Sequence, residues 1–188
     1  MGVYMKIKTK DFITVSLFAA LTAVGAFISI PLGAVPITLQ LLFTLLSGIL
    51  LRENLGALSQ IVYISLGLIG LPIFAGGKGG IGILLSPTFG FLIGYIICAF
   101  VLGKLCSKLI EKNKISFLNI MLICILGVII VYLFGVPYMY IILTKVNKIS
   151  LTFFGALKSG CLIFLPGDLL KVIVSSLLAV KLIPVIKR

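Results

Sequence analysis

The sequence predicts an all-α membrane protein with six transmembrane helices, and three observations carry that prediction. Hydrophobic residues make up 61% of the 188 residues, and the mean hydropathy is +1.35. A soluble fold of this size has no interior large enough to hide so much apolar surface, so lipid must cover much of it. The 16 basic and 4 acidic residues fall in short clusters between long uncharged runs, and most of those runs are long enough to cross a bilayer. Residues 1–188 read as one integral membrane domain, multi-pass in a cell membrane, with the lipid bilayer as its first partner.

The spans follow in order. Met1–Asp11 is basic and Phe12–Ile30 is the first apolar run. It is too long for a secretory leader, no small-residue cleavage site follows it, and further spans come after, so it is expected to stay in the membrane. A charge-free break, Pro31–Pro36, separates it from a second run, Ile37–Leu51, which is short for a full crossing and is closed by Arg52, Glu53 and Asn54. The third run, Leu55–Leu71, stops at Pro72, and the glycine-rich loop FAGGKGG (74–80) follows. The fourth is Ile81–Gly103, followed by Lys104, Lys108, Lys112 and Lys114 against Glu111. The fifth is Phe117–Thr144, with a break expected near Gly135 and Pro137. Val146–Leu165 is mixed and weakly amphipathic. The last helix is expected over Pro166–Ile183, roughly 27 Å at 1.5 Å per residue, enough to cross the hydrocarbon core.

Six spans put both termini on one side. With the N-terminus inside, the inner segments hold Lys6, Lys8, Lys10, Arg52, Lys104, Lys108, Lys112, Lys114, Lys181, Lys187 and Arg188, and the outer ones Lys78, Lys145, Lys148 and Lys158. That asymmetry predicts cytoplasmic N- and C-termini. The Pro31–Pro36 break, the FAGGKGG loop and the start of the last helix then share the outer face. Irregular backbone at membrane depth is tolerated only against protein or a water-filled cavity, so three breaks on one face predict a pocket that opens outward.

Several functions are disfavoured. The +12 net charge is topology signal rather than a phosphate-binding groove, so no nucleic-acid partner is expected. Cys98, Cys106, Cys124 and Cys161 form no CxxC pair and the chain has no histidine, so neither a metal site nor a cofactor is expected. Lys78 is followed by Gly79, and Pro72 stands where a phosphate-binding loop needs its first glycine. The chain is therefore expected neither to hydrolyse ATP nor to be an enzyme, for an intramembrane enzyme needs clustered acids, histidines or metal ligands.

The residues that remain point to binding. Asp11, Glu53 and Glu111 sit at inner span ends; Asp168 lies in LPGDLLK (165–171). Pro166 suits a first helical position, which puts Asp168 in the first turn, where the helix dipole favours a carboxylate. Lys171 falls three residues on, on the same face. The two could simply satisfy each other as a helix cap. Ionisable residues inside a membrane more often mark a substrate path, and an acid and a base together suit a ligand with a carboxylate or carbonyl and polar N–H groups. Gln40, Gln60 and Tyr63 are polar groups in apolar runs, open to reading as ligand contacts or as interhelical hydrogen bonds. Gly76 and Gly77 permit a tight loop with close backbone approach, and Lys78 beside them is a ligand contact or a solvated charge. Ala19 and Ala23 make a small-residue face for packing inside the chain or for docking a partner.

Four stretches, VPITLQ (35–40), QIVYISLGLIGLPIFAGGKGG (60–80), PTFGFLIGY (87–95) and FLPGDLLK (164–171), together resemble the BioY family, the biotin-binding S components of energy-coupling factor (ECF) transporters. The resemblance spans nearly the whole chain in order. It implies an S-component-like bundle that captures biotin at the outer face, with Asp168 and Lys171 meeting the carboxylate or ureido ring. Gln40, Tyr63, Gly76, Gly77 and Lys78 are further substrate-binding candidates, and Pro31–Pro36 resembles the family's lid. Implied partners are a transmembrane coupling protein, for which Ala19 and Ala23 are a candidate docking face, and two cytoplasmic ABC-type ATPases. An S component for another vitamin, or a stand-alone transporter, are the alternatives; the latter lacks a convincing internal repeat.

Overall fold

The computed structural model describes residues 8–186; Lys6, Lys187 and Arg188 of the charge count lie outside them. Helix α1 spans Thr9–Phe27 and leads into a two-residue strand pair, β1 (Ser29–Ile30) and β2 (Ile37–Thr38), antiparallel with Ser29 opposite Thr38. Helix α2 covers Gln40–Ile69, followed by a 3-10 turn at Ile81–Leu85, α3 (Phe89–Glu111) and α4 (Phe117–Ile141), which runs on into a π-turn at Ile142–Val146. The short α5 (Phe153–Leu157) and a second π-turn (Lys158–Leu162) precede α6 (Leu165–Ile186).

Helix α2 is two antiparallel arms. Arg52 stands at φ 68° and ψ −178°, a left-handed value that no helix interior accommodates, and the chain reverses there. Pairings down the arms record the reversal. Gln40 bonds Tyr63 at 2.8 Å, Thr44 bonds Gln60 at 3.2 Å, and a Cβ on Gly56 would lie 2.8 Å from Gly48 Cα. Four helices (α1, α2, α3 and Phe117–Val146) are long and apolar enough to cross a membrane, and Phe153–Leu162 with Leu165–Val185 form a fifth, bent by 41°. With α2 folded into two arms, the chain has the six helical segments expected, α1, the two arms, α3, α4 and α6.

The boundaries differ from expectation where local chemistry intervenes. The second span was expected from Ile37, but Ile37 and Thr38 belong to β2 and the helix starts at Gln40. Leu39 donates its N–H to Gly25 O at 2.9 Å, so the chain re-enters the bundle level with the last turns of α1 before it coils. That is why residues 40–51 give an arm of only about 18 Å. The expected fourth span is split at Ser86–Thr88, because Pro87 disfavours helix at the residue before it. The break expected near Gly135 and Pro137 is absent: α4 continues through both, and the Phe91 ring occupies the space beside Gly135.

The arms of α2 share a polar seam. Gln60 is fully buried and accepts from Thr44, while its amide reaches Ser47 at 3.1 Å and Thr22 and Ser59 at 3.3 Å. Of the two readings for Gln60, the structure takes the interhelical one: it ties α1 to both arms. Ala19 is 4% exposed and packs inside the core, so it contributes to packing within the chain; Ala23 is only partly buried. Alternation of the helices puts the 28–39, 70–88 and 142–164 segments at one end of the bundle, the loop end. The Arg52 turn, residues 112–116, Thr9 and Ile186 lie at the other, the basic end.

Backbone contact between α2 and α3 depends on Gly48, whose Cβ would sit 2.6 Å from Ala99 O. Gly48→Val is expected to cost about 1–3 kcal/mol by overpacking and to lower the unfolding temperature in detergent by several degrees. Gly82→Ala, in open space, is the control and should leave it unchanged.

Candidate ligand-binding site

Helix α6 opens with Asp168 donating its N–H to Phe164 O at 2.9 Å. The side chain of Asp168 therefore stands in the first turn, as its sequence context predicts. Lys171 Nζ donates to Asp168 Oδ1 at 2.7 Å, and the two residues are 8% and 6% exposed. The other carboxylate oxygen, Oδ2, accepts the Tyr132 hydroxyl of α4. Tyr132 is held edge-on to Phe91 of α3, with centroids 6.4 Å apart. A charge buried this far is costly unless paired and hydrogen-bonded; here both carboxylate oxygens are engaged.

The trio lines a cleft at the loop end. Its empty volume is about 630 Å³, mouth included. Val35, Leu41, Phe74, Phe91, Leu92, Val131 and Phe164 supply an apolar wall, and Thr38, Gln40, Thr88, Tyr95, Tyr132, Asp168 and Lys171 the polar groups. Polar groups converging among apolar and aromatic side chains are the usual composition of a small-molecule site. On the lipid side of Tyr132 and Asp168 lies a second, almost wholly apolar groove between α4 and α6. The Tyr132–Asp168 hydrogen bond is thus part of the wall between the polar cleft and hydrocarbon.

The predicted site residues divide into three groups. Asp168, Lys171 and Gln40 line the cleft. Tyr63 does not; it is fully buried behind it, accepting from Gln40 Nε2 and donating to Ile73 O at 3.2 Å. Gln40 Oε1 in turn accepts from Thr38 at 3.0 Å. Tyr63 thereby joins the segment after β1 to the loop after α2, the two chain segments that roof the cleft. Gly76, Gly77 and Lys78 are exposed and lie outside the lining. Phe74 and Lys78 form an antiparallel bridge that turns Phe74 and Ala75 toward the cleft and leaves the two glycines at φ 77° and 68° in the solvent-facing turn. Tyr132 and Tyr95 were missed. Each is a hydroxyl within an apolar span, the same signal that singled out Tyr63, and an intramembrane hydroxyl needs a partner.

Chemically the site can hold a polar head on an apolar body. An ammonium has three N–H donors, and Asp168 takes one from Lys171, leaving two for ligand oxygens. Asp168 retains lone pairs for ligand N–H groups.

These features define a multi-pass helical membrane protein with a ligand cleft at one end of its bundle. The BioY family model matches residues 3–188, and the chain belongs to that family, whose members are transporter components rather than enzymes. A probable biotin transporter BioY of Lysinibacillus sphaericus is 41% identical over 179 residues, 95% of this chain and 89% of the relative. The biotin transporter BioY of Thermotoga maritima is 39% identical over 92% of this chain and 95% of its own. Among solved structures, the S-component for biotin from an ECF-type ABC transporter matches with a TM-score of 0.82 at 29% identity, covering 97% of this chain and 94% of the other.

Tyr63→Phe removes both hydrogen bonds that tie the roof together. It is expected to destabilise by about 1–2 kcal/mol and to raise amide hydrogen exchange in residues 29–39 and 70–80. Unchanged exchange in both segments would show that they are held by other contacts.

Proposed function

We propose that this chain is the biotin-binding S component of an ECF-type importer, which captures biotin at the outer face for ATP-driven uptake by partner subunits. The observation that carries the reading is the buried Asp168–Lys171 pair, 2.7 Å apart, at a half-apolar cleft in a chain of this family. Biotin has a carboxylate at one end and a ureido ring with N–H and carbonyl groups at the other. Lys171 suits an oxygen, Asp168 suits a ureido N–H, and the apolar wall from Val35 to Phe164 suits the fused rings and the hydrocarbon tail.

In this reading the loop end faces outward. Among the described residues the basic end holds Lys8, Lys10, Arg52, Lys104, Lys108, Lys112, Lys114 and Lys181, against Lys78, Lys145, Lys148 and Lys158 at the loop end, which favours cytoplasmic termini. Pro31–Pro36 is the lid, anchored below by Gln40 and Tyr63. The sequence lacks a nucleotide loop, so the energy comes from partners: a transmembrane coupling protein and two cytoplasmic ABC-type ATPases. Ala23, partly exposed on α1, is the available part of the docking face; Ala19 supports it from inside.

Purified protein is expected to bind labelled biotin saturably and to ignore thiamin and riboflavin; absence of saturable biotin binding, or competition by either vitamin, sinks the assignment. Lys171→Ala should weaken biotin binding by at least about tenfold, the loss of a charged hydrogen bond, with the Tyr132 hydroxyl still pairing Asp168 and circular dichroism of the purified variant reporting whether it is folded. Unchanged affinity would return the pair to a purely structural role. Co-purification of the coupling protein and ATPases with a tagged copy tests the partner assignment.

A further inference from the structure

Charge is segregated along the bundle in a way that the biotin site does not require. Lys78, Lys145, Lys148 and Lys158 are all exposed at the loop end. Lys78 lies in the bridge that positions Phe74, and Lys158 begins the π-turn that carries the lining Gly160. Lys145 and Lys148 stand further out, beyond the last turn of α4. No exposed carboxylate accompanies them among the described residues. Asp11, Glu53 and Glu111 belong to the basic end, and Asp168 is neutralised by Lys171 in the only ion pair among the described residues. The loop end therefore presents four exposed like charges on the end of the bundle that carries the cleft, while the Asp168–Lys171 pair inside the cleft is neutral overall.

Such an arrangement is unfavourable for topology, because positive charge is retained preferentially inside. It also does nothing for packing, since the four ammonium groups are solvated. Its physical consequence is a positive potential over the mouth that raises the local concentration of anions. Oriented fields of this kind raise association rates by about 10- to 1000-fold and weaken steeply with ionic strength. Such a field reaches about 8–10 Å at ordinary salt and further when salt is low.

We infer that these four lysines form a cationic collar that steers carboxylate-bearing ligands into the cleft, so that the ligand's charge is selected during encounter as well as at Lys171. The inference rests on the biotin reading above. It separates two steps: the collar sets the association rate, and the Asp168–Lys171 pair sets the residence time.

The test uses the full chain in zwitterionic nanodiscs and compares biotin with its neutral carboxamide. Between about 10 mM and about 0.5 M salt, the association rate of biotin is expected to fall roughly tenfold and that of the carboxamide to stay flat. In the K78Q/K145Q/K148Q/K158Q variant the biotin slope should disappear, with the dissociation rate unchanged. Equal salt slopes for acid and amide overturn the collar, as does a biotin slope that survives in the variant. Should the variant fail to fold, the acid–amide comparison on the unmodified protein decides alone. If the lysines instead serve anionic lipid headgroups, the variant retains less phosphatidylglycerol with no change in biotin association, which also overturns the proposal. Loss of all biotin binding by the unmodified protein at every salt concentration overturns the biotin reading itself, a result distinct from a missing salt slope.

Discussion

A carboxylate and an ammonium held 2.7 Å apart inside a helical bundle impose the constraint around which the loop end is arranged. Neither can sit at that depth alone. Lys171 can reach Asp168 only because both lie on one face of α6, three residues apart, and Asp168 stands where the helix N-terminus favours negative charge. Tyr132 of α4 then closes the remaining oxygen, and with Asp168 it lines the apolar groove on the lipid side. A bend of 41° precedes α6, and the first turn of that helix lines the cleft.

A second polar system does a different job. Gln60 and its partners Thr22, Thr44, Ser47 and Ser59 lie away from the cleft and join α1 to both arms of α2. Lipid gives no hydrophobic drive for helices to associate, so packing and interhelical hydrogen bonds must supply it. Glycine contacts at Gly48 and Gly56 bring the backbones close enough for these short side chains to meet. Gln40 and Tyr63 stand one turn further along the same seam, where it reaches the roof of the cleft. The hairpin that stabilises the bundle is thus continuous with the device that holds the roof, a link between folding and ligand capture that runs through one pair of antiparallel arms.

Much of this was legible in the residues. Uncharged runs located the spans because lipid tolerates few ionisable groups, and Asp168 and Lys171 stood out for the same reason. Gln40 was legible because it directly follows a proline-bounded break. What was not legible depended on partners distant in sequence. Gly76, Gly77 and Lys78 looked like a ligand loop by composition, yet the Phe74–Lys78 bridge turns them outward; nothing local specifies which side of that turn faces the cleft. Gly135 and Pro137 suggested a break, but a helix in lipid keeps its backbone hydrogen bonds more stubbornly than one in water, and Phe91 needed the space that Gly135 leaves. Tyr132 was passed over because its role exists only once α4 and α6 are side by side.

The floor of the cleft bears on how such a protein could release what it captures. Below Lys171 the bundle is packed without interruption. Val172, Ser175, Ser176 and Ala179 on α6, Cys98, Leu102 and Cys106 on α3, and Ile120 and Cys124 on α4 are all at 1% exposure or less. Interiors packed to this degree do not deform continuously, and Asp168 and Lys171 are the only buried charged residues among those described, so a charged ligand finds no second ionic partner on the way to the basic end. A carboxylate crossing that distance would be unpaired in a low-dielectric core, at a cost of several kcal/mol. Passage through a static bundle is therefore disfavoured on energy as well as on space. Release at the opposite face calls for motion of the protein around the ligand.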